Sequence, residues 1–384
     1  MNVGILFPRS NAYPLIGSEF TEGLKAFTSQ AGLEKDISFF PESIGFGGVE
    51  KEVYGKAEKL LMMDDVDILV AFIDERILEL LKPLVLASGK LMIIVNPGAN
   101  HPFNWIPQPN MVSLSLQHAF LCALSGFAAA AGKTNVPAAV ATTFYDCGYL
   151  HLADMVREFQ SSRGKIQFNY INNQLKNETF HIQQLTNFLS SDKDTQTILC
   201  VFDSQPASQF YTLLNEFERA ADLNLFVSPM MLEKKALENI KKGFDFSITG
   251  YMPWHPSVPH EENGQFINFY REKTKKEPGV FSVLGWETGI ILKEVYDHCR
   301  EDFRNGETVT EMLKTRMMNG PRGLLKLDPD TQHFISPAIR CTIAAKSNKM
   351  EMEYDLNLEN EWEEFTEKPI EGQVSGWTNT YLCY

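Results

Sequence analysis

His255 and His260, followed directly by Glu261 and Glu262, form the densest group of potential metal ligands in the chain. Two imidazoles and two carboxylates are enough to hold a zinc ion. Their spacing, however, falls in a stretch carrying Pro253, Pro256 and Pro259 and not on one helix face, so no metal centre is expected there. Tyr145-Asp146-Cys147 sets a thiol beside a carboxylate, whose negative charge raises the thiol pKa and works against an activated nucleophile. The nearest approach to a phosphate-cradling loop is Gly45-Phe46-Gly47-Gly48, which follows Pro41-Glu42-Ser43, lacks the Lys and hydroxyl pair, and leads into an acidic helix start. Neither Gly-x-Ser-x-Gly nor His-Glu-x-x-His occurs. Nothing in these residues demands catalysis, so an enzyme is not expected, nor is a cofactor.

The elements that must position a binding site follow an α/β rhythm. Short apolar runs rich in Val, Ile and Phe alternate with amphipathic stretches of helical length, the mark of βαβ units and a mostly parallel sheet. Strands are predicted at 2–7, 37–41, 67–71 and 91–95, with helices at 17–31, 50–62 and 75–88. In the first helix Phe20, Leu24 and Phe27 share one face while Glu22 and Lys25 point elsewhere. The proline- and asparagine-rich segment 96–109 breaks the rhythm and is predicted as a loop where the chain changes lobes. A second series is predicted as helix 115–131, strand 136–142, helix 149–162, strand 166–171, helix 179–190, strand 197–202, helix 206–221, strand 224–228, helix 232–241 and strand 244–249. Helices at 263–275, 281–300 and 308–318 follow, then a turn-rich piece at 319–323, and a hairpin of 338–345 with 350–356 around Ser347-Asn348.

A chain of 384 residues exceeds what one core usually organises and favours two lobes. Acids outnumber bases 49 to 35, a net charge of −14 that opposes binding to a phosphate backbone, so nucleic acid is not an expected partner. The stretch from Lys346 to Tyr384 holds nine Asp and Glu against three Lys and reads as a solvated acidic appendage. No segment reaches the eighteen or so uninterrupted apolar residues that span a bilayer; the nearest, Phe120 to Ala131, is short and rich in Ala. The six cysteines lie far apart, without metal spacing, and read as reduced thiols.

Five segments, in order, resemble the type I periplasmic solute-binding proteins, and within them the subfamily serving branched-chain amino-acid ABC transporters. They are VGILFPRSNAYPLIGSEFTEGLKAF (3–27), LMIIVNPGAN (91–100), AAVATTFYDCGYLHLADM (138–155), GYMPWHPSVPHEENGQFINFYREKTKKEPGVFSVLGWETGIIL (250–292) and NGPRGLLKLDPDTQHFISPAI (319–339). The resemblance implies an α/β fold of two Rossmann-like lobes, parallel sheets flanked by helices, joined by a three-stranded hinge. Residues 1–114 and 252–318 are expected in one lobe, 115–251 and 319–345 in the other, and 346–384 as an acidic extension.

In such sheets ligands sit beyond the carboxyl ends of the strands. On the first lobe the candidate residues are therefore Ser10, Asn11 and Tyr13, then Asp74 and Glu75, then Asn96, Gly98 and Asn100. On the second they are Tyr145 and Asp146, Asp203 and Ser204, Ser228 and Met230, with Tyr251 and Trp254 near the second crossing. Each has a plainer reading: Ser10, Asn96 and Asn100 suit turns, Asp74 and Glu75 suit a helix start, and Tyr145 and Trp254 suit hinge packing. Where amino-acid binders of the family carry an acid facing the ligand ammonium, this chain has Met230, so an ordinary α-amino acid requires Asp74, Glu75, Asp146 or Asp203 to substitute, while Met230, Met231 and Trp254 suit a ligand with an apolar or aromatic part. The expected function is capture of a small polar or amphipathic solute, an amino acid or related compound, by hinge closure for an ABC permease in the periplasm. The alternative is a cytoplasmic sensor on the same fold that signals to a protein partner; the N-terminus, which enters a strand without a basic leader, leaves both open.

Overall fold

The computed structural model describes residues 1–11, 13–73, 75–98, 106–132, 134–143, 149–172, 180–238, 243–300 and 302–368. The first series of elements is β1 (Asn2–Phe7), α1 (Ile16–Gln30), β2 (Ser38–Ser43), α2 (Glu50–Glu58), β3 (Ile68–Phe72), α3 (Glu75–Ser88), β4 (Leu91–Asn96) and β5 (Met111–Ser115). Strands β3 to β5 are buried along their whole length, as central strands are when helices cover both faces of a parallel sheet, and β3 is a continuous apolar run. Helix α1 buries Phe20, Leu24 and Phe27. It meets a later helix backbone to backbone: a Cβ at Gly285 would sit 2.0 Å from the Phe20 carbonyl oxygen, so only glycine fits at that crossing.

The chain then builds α4 (His118–Ala130), β6 (Val136–Thr143), α5 (Tyr149–Ser161), β7 (Gly164–Asn172), α6 (Gln183–Ser191), β8 (Thr197–Val201), α7 (Ser204–Asn215), β9 (Asn224–Val227) and β10 (Ser247–Met252). It returns through α8 (Glu261–Thr274), α9 (Val280–His298), α10 (Gly306–Lys314), β11 (Met317–Gly320), β12 (Gly323–Leu327) and β13 (His333–Ile335). It ends in β14 (Ala338–Ile343), β15 (Met350–Leu356) and α11 (Glu359–Glu367). Two sheets result, ordered β11-β12-β13-β5-β4-β3-β1-β2 and β15-β14-β10-β9-β8-β6-β7. Strands β1 to β5 and β13 run parallel in the first sheet, and β6 to β10 in the second; the antiparallel strands lie at one end of each.

The chain passes between sheets three times: β5 to α4, β10 to α8, and β13 to β14. Several expectations change here. Before leaving the first lobe the chain adds β5, so the predicted helix at 115–131 starts only at His118. Residues 319–335, expected in the second lobe, belong to the first sheet, because β11 and β12 pair antiparallel around Gly320-Pro321-Arg322-Gly323 and β13 pairs parallel with β5 through His333 and Ser113. The predicted helix at 232–241 is replaced by one 3₁₀ turn, Pro229–Leu232, followed by turns through the described residues, since Met230, Met231 and Leu232 are all drawn into the core. The hairpin around Ser347-Asn348 forms as predicted and extends the second sheet. The acidic appendage is not simply solvated: its described Glu side chains face water, but Trp362 and Phe365, three residues apart on α11, are 4% and 3% exposed.

Candidate ligand cleft

The carboxyl ends of the two parallel sheets face each other at one directly observed point. Tyr13, in the loop after β1, donates its phenol O–H to Asp203 Oδ1, in the loop after β8, at 2.6 Å. These residues are 190 positions apart and come from different lobes, so the bond spans the gap between them. Tyr13 is held for this contact. Its backbone N–H donates to Ser10 Oγ at 3.0 Å, and its ring meets Phe281, at the start of α9, edge to face with centroids 6.0 Å apart. The Arg9 N–H donates to the Gly45 carbonyl, tying the loop after β1 to the loop after β2. Ser10 is buried and Asn11 exposed.

Beyond β4, the Asn96 side-chain oxygen accepts the Gly98 N–H at 2.8 Å, an Asx turn that bends the chain sharply. Gly98 has φ of +72°, and a Cβ there would fall 2.6 Å from the Gln117 backbone nitrogen, so two constraints require glycine. Its carbonyl and that of Pro97 accept the N–H groups of Ala119 and His118, fastening this loop to the start of α4. Asn96 and Gly98 thus shape the first lobe's edge and connect it to the first crossing.

In the second lobe, the Asp203 carbonyl accepts the Ala207 N–H and opens α7, while the Thr142 hydroxyl donates to the Val201 carbonyl and binds the ends of β6 and β8 together. Ser228 and Met230 are both 0% exposed, so neither presents surface to water in this arrangement of the lobes. The Ser228 Oγ has no hydrogen-bond partner among the described residues. Tyr251 and Trp254 lie in hinge packing. Trp254 donates its indole N–H to Asn263 Oδ1 at 2.8 Å and packs against Phe266, and Tyr251 joins an apolar cluster with Phe120, Leu124 and Trp362, where burial pushes its phenol above the ordinary range. Asp74, Asn100, Tyr145 and Asp146 lie outside the described residues, and Glu75 and Ser204 open α3 and α7 with side chains outside that description.

Sequence reasoning missed the residues that carry the hinge. Arg322, in the turn between β11 and β12, makes a forked ion pair with Glu287 of α9, the closest contact 2.6 Å, and donates to the Ser115 carbonyl at 2.8 Å. Gln117, in the first crossing with φ of +56°, accepts hydrogen bonds from the backbone N–H and the hydroxyl of Ser336 in the third. His118 is fully buried, and desolvation, with His151 and Arg322 adding to it, holds its imidazole well below the usual range and therefore neutral. Composition offers no signal for these pairs, since their partners are 35 and 219 residues apart. Among the described residues no group of three or more His, Cys, Asp or Glu side chains could hold a metal ion. Cys122, Cys200 and Cys341 are buried free thiols whose pKa burial raises, for Cys341 to about 12.

A family model described as periplasmic binding protein matches residues 1–348. Among solved structures, an ABC transporter substrate-binding protein from Sphaerobacter thermophilus is 16% identical and superposes with a TM-score of 0.77, covering 92% of this chain and 98% of its own. An ABC-transporter solute-binding protein from Rhodopseudomonas palustris, in complex with 3,4-dihydroxybenzoic acid, is 15% identical with a TM-score of 0.73, covering 94% and 99%. A branched-chain amino-acid transporter substrate-binding protein from Streptococcus pneumoniae, in complex with isoleucine, is 14% identical with a TM-score of 0.67, covering 92% and 99%. At these identities the structures establish the likeness of fold. No match was found among curated protein sequences.

Proposed function

Because the chain belongs to the periplasmic binding protein family, we propose that it captures a small solute between its lobes by hinge closure and delivers it to an ABC permease in the membrane, without catalysis or cofactor. The observation that carries this reading is the Tyr13–Asp203 hydrogen bond, which joins two loops at the carboxyl ends of separate parallel sheets. A ligand that touches both loops makes its full set of contacts only when the lobes close, and that difference in contact drives closure. The work belongs to the periplasm; no described helix is long and apolar enough to cross a membrane.

The proposed ligand is small and amphipathic, an amino acid or a related compound with an apolar or aromatic part. Similar proteins carry isoleucine in one case and a dihydroxybenzoate in another, so the fold accommodates both. Met230 offers no charge to an ammonium, and Asp203 is already engaged by Tyr13. Ser10, Asn11, Tyr13, Asn96 and Asp203 are proposed to address the ligand directly, and Asn100, Tyr145 and Asp146 remain candidates from the sequence.

A thermal-shift screen against amino acids, short peptides, amides, aromatic acids and small carboxylates tests the proposal. A ligand at a hundred times its Kd adds about 2.7 kcal/mol, roughly two to four degrees for domains of this size. A response confined to one chemical class supports solute capture and identifies the substrate class. No response, with no molecule retained through purification, overturns it in favour of signalling to a protein partner.

A further inference from the structure

Helix α11 lies beyond the residues that the family model matches, yet it touches both lobes. On the second lobe its Phe365 and Trp362 pack against Phe120 of α4, with ring centroids 5.3 Å away in each case, and the Arg157 guanidinium of α5 lies 5.3 Å over the Phe365 ring. On the first lobe Trp362 meets His333 of β13 with centroids 5.9 Å apart, and Glu359 pairs with Lys326 of β12 at 3.1 Å. Trp362 is therefore clamped between a ring from each lobe, directly beside the third crossing. We infer that α11 is a strap across the hinge that holds the lobes in the closed arrangement and thereby sets the affinity of the cleft. This rests on the reading of the cleft as one that closes over a solute.

The physical case follows from where the contacts fall. Any rotation of one lobe against the other must part or slide the contacts of α11 with at least one of them. The Trp362 indole N–H finds no acceptor among the described residues, so at Trp362 the joint is held by ring packing that is lost once the rings part, with the Glu359–Lys326 ion pair beside it. The arrangement described, with Tyr13 bonded to Asp203, is the one in which both sets of strap contacts are made. Contacts present only in the closed form raise its population, and a ligand selecting that form binds more tightly in proportion.

The test is the Trp362→Ala/Phe365→Ala double variant in the full chain, compared with the unaltered protein by small-angle scattering without ligand and by titration with the compound identified in the screen. The expected result is a larger radius of gyration for the ligand-free variant and affinity weaker by at least about fivefold. A folded variant with unchanged radius and affinity overturns the proposal, as does a lower Tm alone, which marks α11 as ordinary packing. If the double variant does not fold, Phe365→Ala, read in the same two ways, decides. The scattering measurement needs no ligand, so a screen without hits removes solute capture while the strap still stands or falls on its own result.

Discussion

At the rim of the cleft the lobes are joined by the Tyr13–Asp203 hydrogen bond, made by a phenol that stays partly open to water. At the base of the hinge, Arg322 and Glu287 form a forked ion pair with side chains 0% exposed, and Gln117 and Ser336 tie two crossings together. One hydrogen bond nets about 0.5–1.5 kcal/mol, because water competes for both partners when it opens. Breaking a buried ion pair by removing one partner costs about 3–5 kcal/mol, because the charge left behind has neither water nor counter-ion. The rim bond joins the lobes and opens at small cost, whereas the buried pair lies within the first lobe, beside the first crossing, and stays made whichever way the second lobe turns.

Replacing Glu287 with Ala should have the largest effect. It strands the Arg322 guanidinium, and chemical denaturation should show a loss of about 3–5 kcal/mol. The double variant Glu287→Leu/Arg322→Met should recover much of this, since the pair's desolvation cost disappears with its attraction. A loss under about 1 kcal/mol for Glu287→Ala would erase the contrast between rim and hinge.

Acid should weaken the hinge side next. Burial lowers the His333 pKa to about 4 from the ordinary 6.5, although the Thr331 carbonyl and Asp328 pull it upward. Above pH 6.5 both folded and unfolded states are mostly neutral at this site and its full stability is present. Between 6.5 and about 4 the unfolded chain takes up a proton that the folded one declines, so stability falls by up to about 1.4 kcal/mol per pH unit. His118, held neutral in the same way, acts in the same direction. Melting curves at pH 7 and pH 5 should show this loss, and the His333→Gln variant should lose less. An identical pH dependence in the variant would remove His333 from the account.

The smallest effect is expected at the rim. Tyr13→Phe keeps the ring contact with Phe281 but deletes the hydroxyl that reaches Asp203. Tm should move by no more than about a degree, while affinity for a cleft ligand should weaken about fivefold, near 1 kcal/mol. Unchanged affinity in a titration would show that the bond does not contribute to closure.

Much of this architecture was legible from periodicity. The β3 run Ile68–Phe72 and the Leu91–Val95 run of β4 are apolar throughout because both faces are covered, and the Phe20, Leu24 and Phe27 stripe marks the inner face of α1. Strand ends also pointed to Tyr13 and Asp203, in the loops after β1 and β8, but that these two meet across the lobes was not legible. Short strands escaped. β5, β11 and β13, Met-Val-Ser-Leu-Ser, Met-Met-Asn-Gly and His-Phe-Ile, are short and mixed in polarity, unlike the apolar run of β3, and their identity as strands comes from neighbours in the sheet. Composition misled over α11, where eight acids between Glu351 and Glu367 outweighed an apolar pair three residues apart.

The sequence by itself determined the alternation of strand and helix, the loops that follow each strand, and the absence of the usual catalytic motifs. These depend on neighbours within a few residues, where side-chain period and turn chemistry act directly. Only the tertiary structure decided that residues 317–335 return to the first sheet, that Arg322 finds Glu287, that Tyr13 reaches across to Asp203, and that Trp362 closes over the hinge. Each of these contacts joins residues tens to hundreds of positions apart, so it exists only once distant parts of the chain have folded against each other.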